Sequence, residues 1–259
     1  MSMESIEMLS FVGLIILMLV FLEIGRLISI NAVRTGVKAN LSGSGPVETI
    51  VFGLLGLLIA FTFTGAESRL EYRRELITGA ANSISTAYAR IDLLSAKAQP
   101  QMRNMLKEYT LIRAQIYQGQ ENLSDENKLS QASDQLQKQI WELAVTDCAK
   151  LNSRTCDMLV LPALGDVFSV ATLRQAALLN HPPIEVYIML VIISLFGALL
   201  VGYTLPISKK RNILYMITYA FTISVLITLI IDMEFPRTGL IRVDSADKLI
   251  LDLGNSMQP

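Results

Sequence analysis

Four stretches of the chain, about 8–30, 47–65, 184–205 and 213–232, are nearly free of charge. Each is long enough to cross a bilayer, which takes roughly 20 mainly apolar residues. Between the second and third the pattern changes. From Glu67 to Leu94 there is no proline, so the second span is expected to run on as one long helix out of the bilayer. Met102, Met105, Tyr109, Ile112 and Ile116 then recur three and four apart, one apolar helical stripe. Ser124-Asp-Glu marks the start of another helix, in which Leu129, Ala132, Leu136, Ile140 and Leu143 repeat the pattern. A further helix is expected over about 165–180, ending before His181-Pro-Pro, and a short terminal one from Ala246 to Leu253 capped by Asp244. No alternating strand pattern competes.

The expected fold is all-α: a four-span helical membrane protein with a helical extramembrane domain inserted between spans two and three. It divides into the first two spans with a short basic connection (1–65), the helical domain (66–183), spans three and four with a second basic connection (184–232), and an interfacial collar with a short C-terminal helix (233–259).

Composition agrees with the pattern. Of 259 residues 52% are hydrophobic and only 17% charged, with a mean hydropathy of +0.46. Such values are unusual for a soluble domain. A net charge of −1 gives no reason to propose nucleic acid as a partner. The first run is read as a retained helix rather than a cleavable signal, because Glu4 and Glu7 stand where a positive segment is expected.

Charge in the connections orients the chain. The two short connections hold Arg34 and Lys38, then Lys209, Lys210 and Arg211, without an acid between about 31 and 46 or between 206 and 212. Short loops rich in Lys and Arg stay cytoplasmic, while long ones cross largely regardless of charge. Both termini and the 66–183 domain are therefore expected outside the cytoplasm. Cys148 and Cys156 leave two readings open: a disulfide in an oxidising compartment, or two buried reduced thiols. They are too few ligands for a metal site.

Enzymatic signals are nearly absent, and no enzyme is expected. The one histidine, His181, precedes two prolines and reads as a hinge or helix-end residue rather than a catalyst. There is no Gly-rich phosphate loop, no His-Glu zinc motif and no nucleophile elbow. No cofactor is implied. Asp232, Glu234, Asp244 and Asp247 lack the spacing of a calcium loop.

The second span is more informative. Gly53, Gly56, Ala60, Phe63 and Glu67 share one helical face, small residues leading to a ring and then an acid. Small residues in a bilayer allow two helix backbones to approach closely, since lipid supplies no hydrophobic drive. Alternatively, copies of this face surround an axis, with Gly56, Ala60, Phe63 and Glu67 lining a pore. Further on, Thr78, Asn82, Thr86 and Arg90 recur at four-residue steps. They form either a helix contact or a polar vestibule continuing that face.

Glu23 and Arg26 lie three apart in the first span and are expected to pair within the helix. After the fourth span come Asp232, Glu234, Pro236, Arg237 and Gly239. They read as a structured collar in which proline stops the helix, glycine bends the chain, and Arg237 pairs with Glu67 or Glu71.

Gly53-Leu-Leu-Gly-Leu-Leu-Ile-Ala-Phe-Thr-Phe63, Arg69-Leu-Glu-Tyr-Arg-Arg74, Ala81-Asn82 with Thr86-Ala-Tyr-Ala-Arg-Ile-Asp92, and Glu234-Phe-Pro-Arg-Thr-Gly239 together resemble the bacterial bestrophin-like membrane family of unknown function. The likeness runs from the second span to the C-terminus. One departure is Ala80, where the family tends to carry an acid; no role of that acid transfers here. The resemblance implies a multi-pass protein of the bacterial inner (cytoplasmic) membrane. More remotely it implies kinship with bestrophins, pentameric anion channels with four spans and a helical domain between the second and third. Bestrophins keep that domain in the cytosol, whereas the loop charges here place it outside.

Two functions follow as expectations. One is a homo-oligomeric ion channel in the lipid bilayer, a pentamer by analogy, lined by span two. The other is a non-conducting membrane protein whose helical domain binds or senses a partner.

Overall fold

The computed structural model describes residues 3–35, 45–118, 123–205, 213–235 and 244–258. Lys38, Lys209, Lys210, Arg211, Pro236, Arg237 and Gly239 lie outside these residues, as do the side chains of Asp244 and Asp247. All the described elements are helical: α1 (Met3–Arg34), α2 (Pro46–Arg90), α3 (Gln99–Gln118), α4 (Leu123–Leu151), α5 (Arg154–Leu179), α6 (Ile184–Thr204), α7 (Ile213–Glu234) and α8 (Asp244–Ser256). Four of the described stretches are long and apolar enough to cross a membrane. The chain forms two compact units: Met1–Arg69 with His181–Ile241, and Leu70–Asn180 with Arg242–Pro259.

α2 is continuous over 45 residues, as the missing proline predicts, and ends in a single 3-10 turn at Ile91–Leu93. In the membrane unit α1 packs on α6 and α7, and α6 on α7. Two glycines permit the α1–α6 contact. A Cβ built on Gly25 would stand 2.0 Å from the carbonyl oxygen of Leu199, and one on Gly202 1.9 Å from that of Leu22. Both clashes are with backbone, so neither position accepts a side chain without the helices moving apart. α2 joins this unit through Phe52 and Leu55, which reach Gly197 of α6, and Phe52 meets Tyr219 of α7 edge-on. Glu23 and Arg26 pair within α1 at 2.9 Å, half-buried.

In the second unit α3 packs on α4 and α8, and α4 on α5. Met102, Leu106 and Tyr109 of α3, Ile140 of α4 and Leu164 of α5 fill its core. Tyr109 meets Phe168 edge-on. α8 belongs to this unit rather than standing with the collar, and Gly254 lies against Leu111 and Thr110 of α3. The 3-10 turn is fixed to α4 by Asp147, whose carboxylate accepts from the N–H (2.8 Å) and hydroxyl (2.6 Å) of Ser95.

One expectation fails. α5 begins at Arg154 rather than near 165, and runs through Pro162. Proline normally disrupts a helix interior because it has no N–H for the fourth carbonyl back and its ring crowds that carbonyl. Here Arg90 donates to the neighbouring carbonyl of Leu159 at 2.8 Å. The start is also well made. Asn152, with φ 49°, turns the chain after α4, and Ser153 accepts from the N–H of Cys156 at 3.3 Å. Asparagine tolerates this left-handed conformation better than most residues. The same turn brings Cys148 and Cys156 together as a disulfide with a Cα separation of 5.4 Å.

Candidate functional site

The helical repeat of α2 carries Gly53, Gly56, Ala60 and Glu67 on a face that no other described residue covers. All four are exposed, and Phe63 is half-buried. A Cβ added at Gly53 or Gly56 would meet nothing within 4 Å. Gly53 and Gly56 therefore make no close packing contact among the described residues. The glycines that do so, Gly25 and Gly202, lie on α1 and α6.

In the second unit Asn82 and Thr86 are likewise exposed on α2. Arg90 is half-buried, its guanidinium occupied by the Leu159 carbonyl. Arg73, five residues before Thr78, is buried and donates to the carbonyl oxygens of Ala177 (3.2 Å) and Asn180 (3.4 Å), holding the end of α5.

The end of α7 shows a constellation that sequence reasoning only half anticipates. Glu234 is fully buried, and Asp232 is buried beside it in the chain. Arg69 of α2 donates Nε to Oε1 of Glu234 at 2.6 Å, and its Nη2 pairs with the same oxygen. The other carboxylate oxygen faces Nδ1 of His181 at 3.5 Å. The His181 ring stacks on Phe235, with centroids 4.8 Å apart and planes 24° apart. Three segments far apart in sequence thus meet on one carboxylate: α2, the turn into α6 and the end of α7.

The ion pair expected from sequence, Arg237 with Glu67 or Glu71, involves a residue outside the described ones. Glu67 is exposed, and Glu71 makes an open contact of 3.7 Å with Arg74. Arg69 and His181 are the residues that reasoning misses. The available signal was Glu234 itself, a carboxylate directly continuing an apolar helix. Burying an ionised carboxylate without a partner is prohibitively costly, so a cation must come to it. Among the described residues no three His, Cys, Asp or Glu side chains gather to hold a metal ion.

No family model matches the sequence, and no curated protein matches it either. Solved structures do. A bacterial bestrophin homologue from Klebsiella pneumoniae superposes with a TM-score of 0.70 at 12% identity, over 96% of this chain and 99% of that one. Two single-substitution variants described as bestrophin homologues from Klebsiella pneumoniae give TM-scores of 0.71 and 0.72 at 12% and 11% identity, each covering 95% of this chain and 99% and 98% of theirs. The chain therefore has the bestrophin fold, as its sequence motifs imply. At such identity the likeness is one of fold.

Proposed function

We propose that the chain assembles with copies of itself into an ion channel of the inner membrane, with the open face of α2 turned to the common axis. The supporting observation is the contrast between its glycines. Gly25 and Gly202 are met by the backbone of the neighbouring helix, while Gly53 and Gly56, like Gly13 of α1, meet nothing within 4 Å, and on α2 they stand beside exposed Ala60 and Glu67. A carboxylate at the end of a membrane helix is costly against lipid and is most often found facing a bundle interior or a water-filled path. Gly56, Ala60, Phe63 and Glu67 would then line the path, with Asn82 and Thr86 continuing it.

The test is particle symmetry combined with flux from liposomes. A ring of subunits around α2 with ion flux altered by Phe63→Ala supports the channel. A single chain, or a ring closed without a central path and silent in flux, rejects it.

The helical unit is placed outside the cytoplasm in this proposal. The basic connections favour that side, and so does the Cys148–Cys156 disulfide, since such bonds persist in oxidising compartments. Thiol labelling after reduction in sealed vesicles decides it: reaction only from the cytoplasmic face reverses the orientation.

A non-conducting, partner-binding role draws on a different observation. Trp141 and Met158 of the helical unit stand exposed, and large exposed apolar side chains favour protein contacts. Cross-linking through residues 101–160 to a second protein, with silence in flux assays, favours that role.

A further inference from the structure

In the membrane unit a cleft of about 220 Å³ opens between α2 and the start of α6. Leu58, Phe61, Gly65 and Arg69 line one side, Pro182, Val186 and Tyr187 the other. The lining is almost wholly apolar along its length. Thr62 also lines it, but its hydroxyl donates to the Leu58 carbonyl of its own helix at 2.8 Å. The cation stands at one end. Arg69 gives Nε and Nη2 to Oε1 of Glu234, and both its Nη atoms lie over Gly65, 3.3 Å from where a Cβ would be. Arg69 is itself one of the residues lining the cleft. Glu67, Glu71 and Glu185, the acids nearest in sequence, are not among the lining residues.

The dimensions of the cleft match one kind of occupant. From Leu58 to Arg69 α2 rises roughly 16 Å at 1.5 Å per residue. One leaflet of the hydrocarbon core is about 15 Å, half of the whole. An apolar slot one leaflet deep, with a guanidinium where the apolar run of α2 gives way to charged residues, fits a lipid chain below a phosphate. Arginine suits that group because its planar donors bind phosphate oxygens in pairs.

We propose that this cleft holds one anionic phospholipid of the bilayer per subunit, an acyl chain between α2 and α6 and its phosphate on Arg69. The bound lipid adds a second anion to Arg69 beside the buried Glu234. It also fills the gap between two helices that the protein leaves unpacked. The inference does not depend on ion conduction.

The experiment is native mass spectrometry of the full chain, delipidated in mild detergent and titrated with phosphatidylglycerol, with phosphatidylcholine of the same acyl chains, and with oleic acid. One phosphatidylglycerol per subunit is expected, retained at least tenfold more tightly than phosphatidylcholine. Thr62→Phe, which fills the slot and leaves Arg69–Glu234 untouched, should weaken that binding at least tenfold. Arg69→Gln should abolish the preference for the anionic lipid, while Arg69→Lys keeps part of it. If Arg69→Gln fails to fold, Thr62→Phe and Leu58→Trp decide the matter alone. Equal retention of the two phospholipids, or anionic binding indifferent to Thr62→Phe, means ordinary surrounding lipid and overturns the proposal. Oleic acid binding in preference to phosphatidylglycerol overturns the choice of a phospholipid.

Discussion

Arg69 donates to Glu234 across 165 positions of sequence, and the carboxylate it reaches has no exposed surface. Removing one partner of such a buried pair leaves an uncompensated charge, which typically costs about 3–5 kcal/mol. Arg69→Met alone should therefore lower the melting temperature in detergent sharply. Arg69→Met combined with Glu234→Leu should recover most of the loss, because apolar replacement of both partners is often neutral. A double-mutant cycle on the melting transition measures this; a double variant as unstable as the single one would remove the pair from the account.

Glycines on different helices should respond differently. Gly25→Ala and Gly202→Ala place a methyl group about 2 Å from backbone oxygen and should destabilise the subunit by about 1–3 kcal/mol or more, the usual range for overpacking. Gly56→Ala meets open space within the subunit and should leave its fold intact, or stabilise it by about 1 kcal/mol through helix propensity. If copies close around α2, Gly56→Leu should disturb oligomer mass or flux while the subunit stays folded. Size-exclusion chromatography beside thermal melts separates these outcomes.

Flux itself offers a third check. With Glu67 at a common axis, a ring of carboxylates favours cations. Glu67→Gln should then lower the ratio of cation to anion permeability measured by reversal potential in bilayers. An unchanged ratio would take Glu67 off the path.

Breaking the disulfide by Cys148→Ser with Cys156→Ser should cost about 2–3 kcal/mol by loop-closure entropy for so short a ring. Reductant should produce the same downward shift in the parent and none in the variant. The effect is confined to the α4–α5 turn, so it should be seen in helical-unit protection before the membrane helices respond.

Tyr109 supplies a pH dependence. Burial pushes its phenol up to about 12 from the ordinary 10, with its neighbour Arg113 opposing the rise. The unfolded chain ionises near 10 while the folded one keeps its proton, so this contribution to stability is full below pH 10 and is lost towards pH 12. Its hydroxyl makes no hydrogen bond of good geometry, although Ser133 lies nearby. Tyr109→Phe should therefore change stability by about 1 kcal/mol or less at neutral pH and blunt the alkaline decline. Tyr109→Ala should cost about 3–5 kcal/mol, the usual loss on emptying an aromatic site.

Much of the fold was legible because a bilayer imposes a strong code. Four nearly uncharged runs of sufficient length, an unbroken stretch after Glu67, and the three-and-four spacing of Met102 to Ile116 all follow from local rules. α5 starts at Arg154 rather than near 165 and runs through Pro162, a residue that disfavours a helix interior, so its first part is not legible from local rules. The buried pair is not legible in the sequence for a related reason: folding brings Arg69 and His181 to Glu234 from distant segments. Charge demand could be read; the identity of the supplier depends on which helices meet.

The close approach of α1 and α6 bears on how the protein is made. Gly25 and Leu199, like Leu22 and Gly202, are roughly 175 residues apart, and synthesis proceeds at about 5–20 residues per second. The first helix thus enters the membrane about 9–35 seconds before the helix it fits most tightly. Throughout that interval its glycine groove faces lipid, or an insertase that shields it. Biogenesis of this protein accordingly depends on α1 waiting unpaired, and substitutions at Gly25 should reveal themselves first in newly made chains, as degradation before assembly.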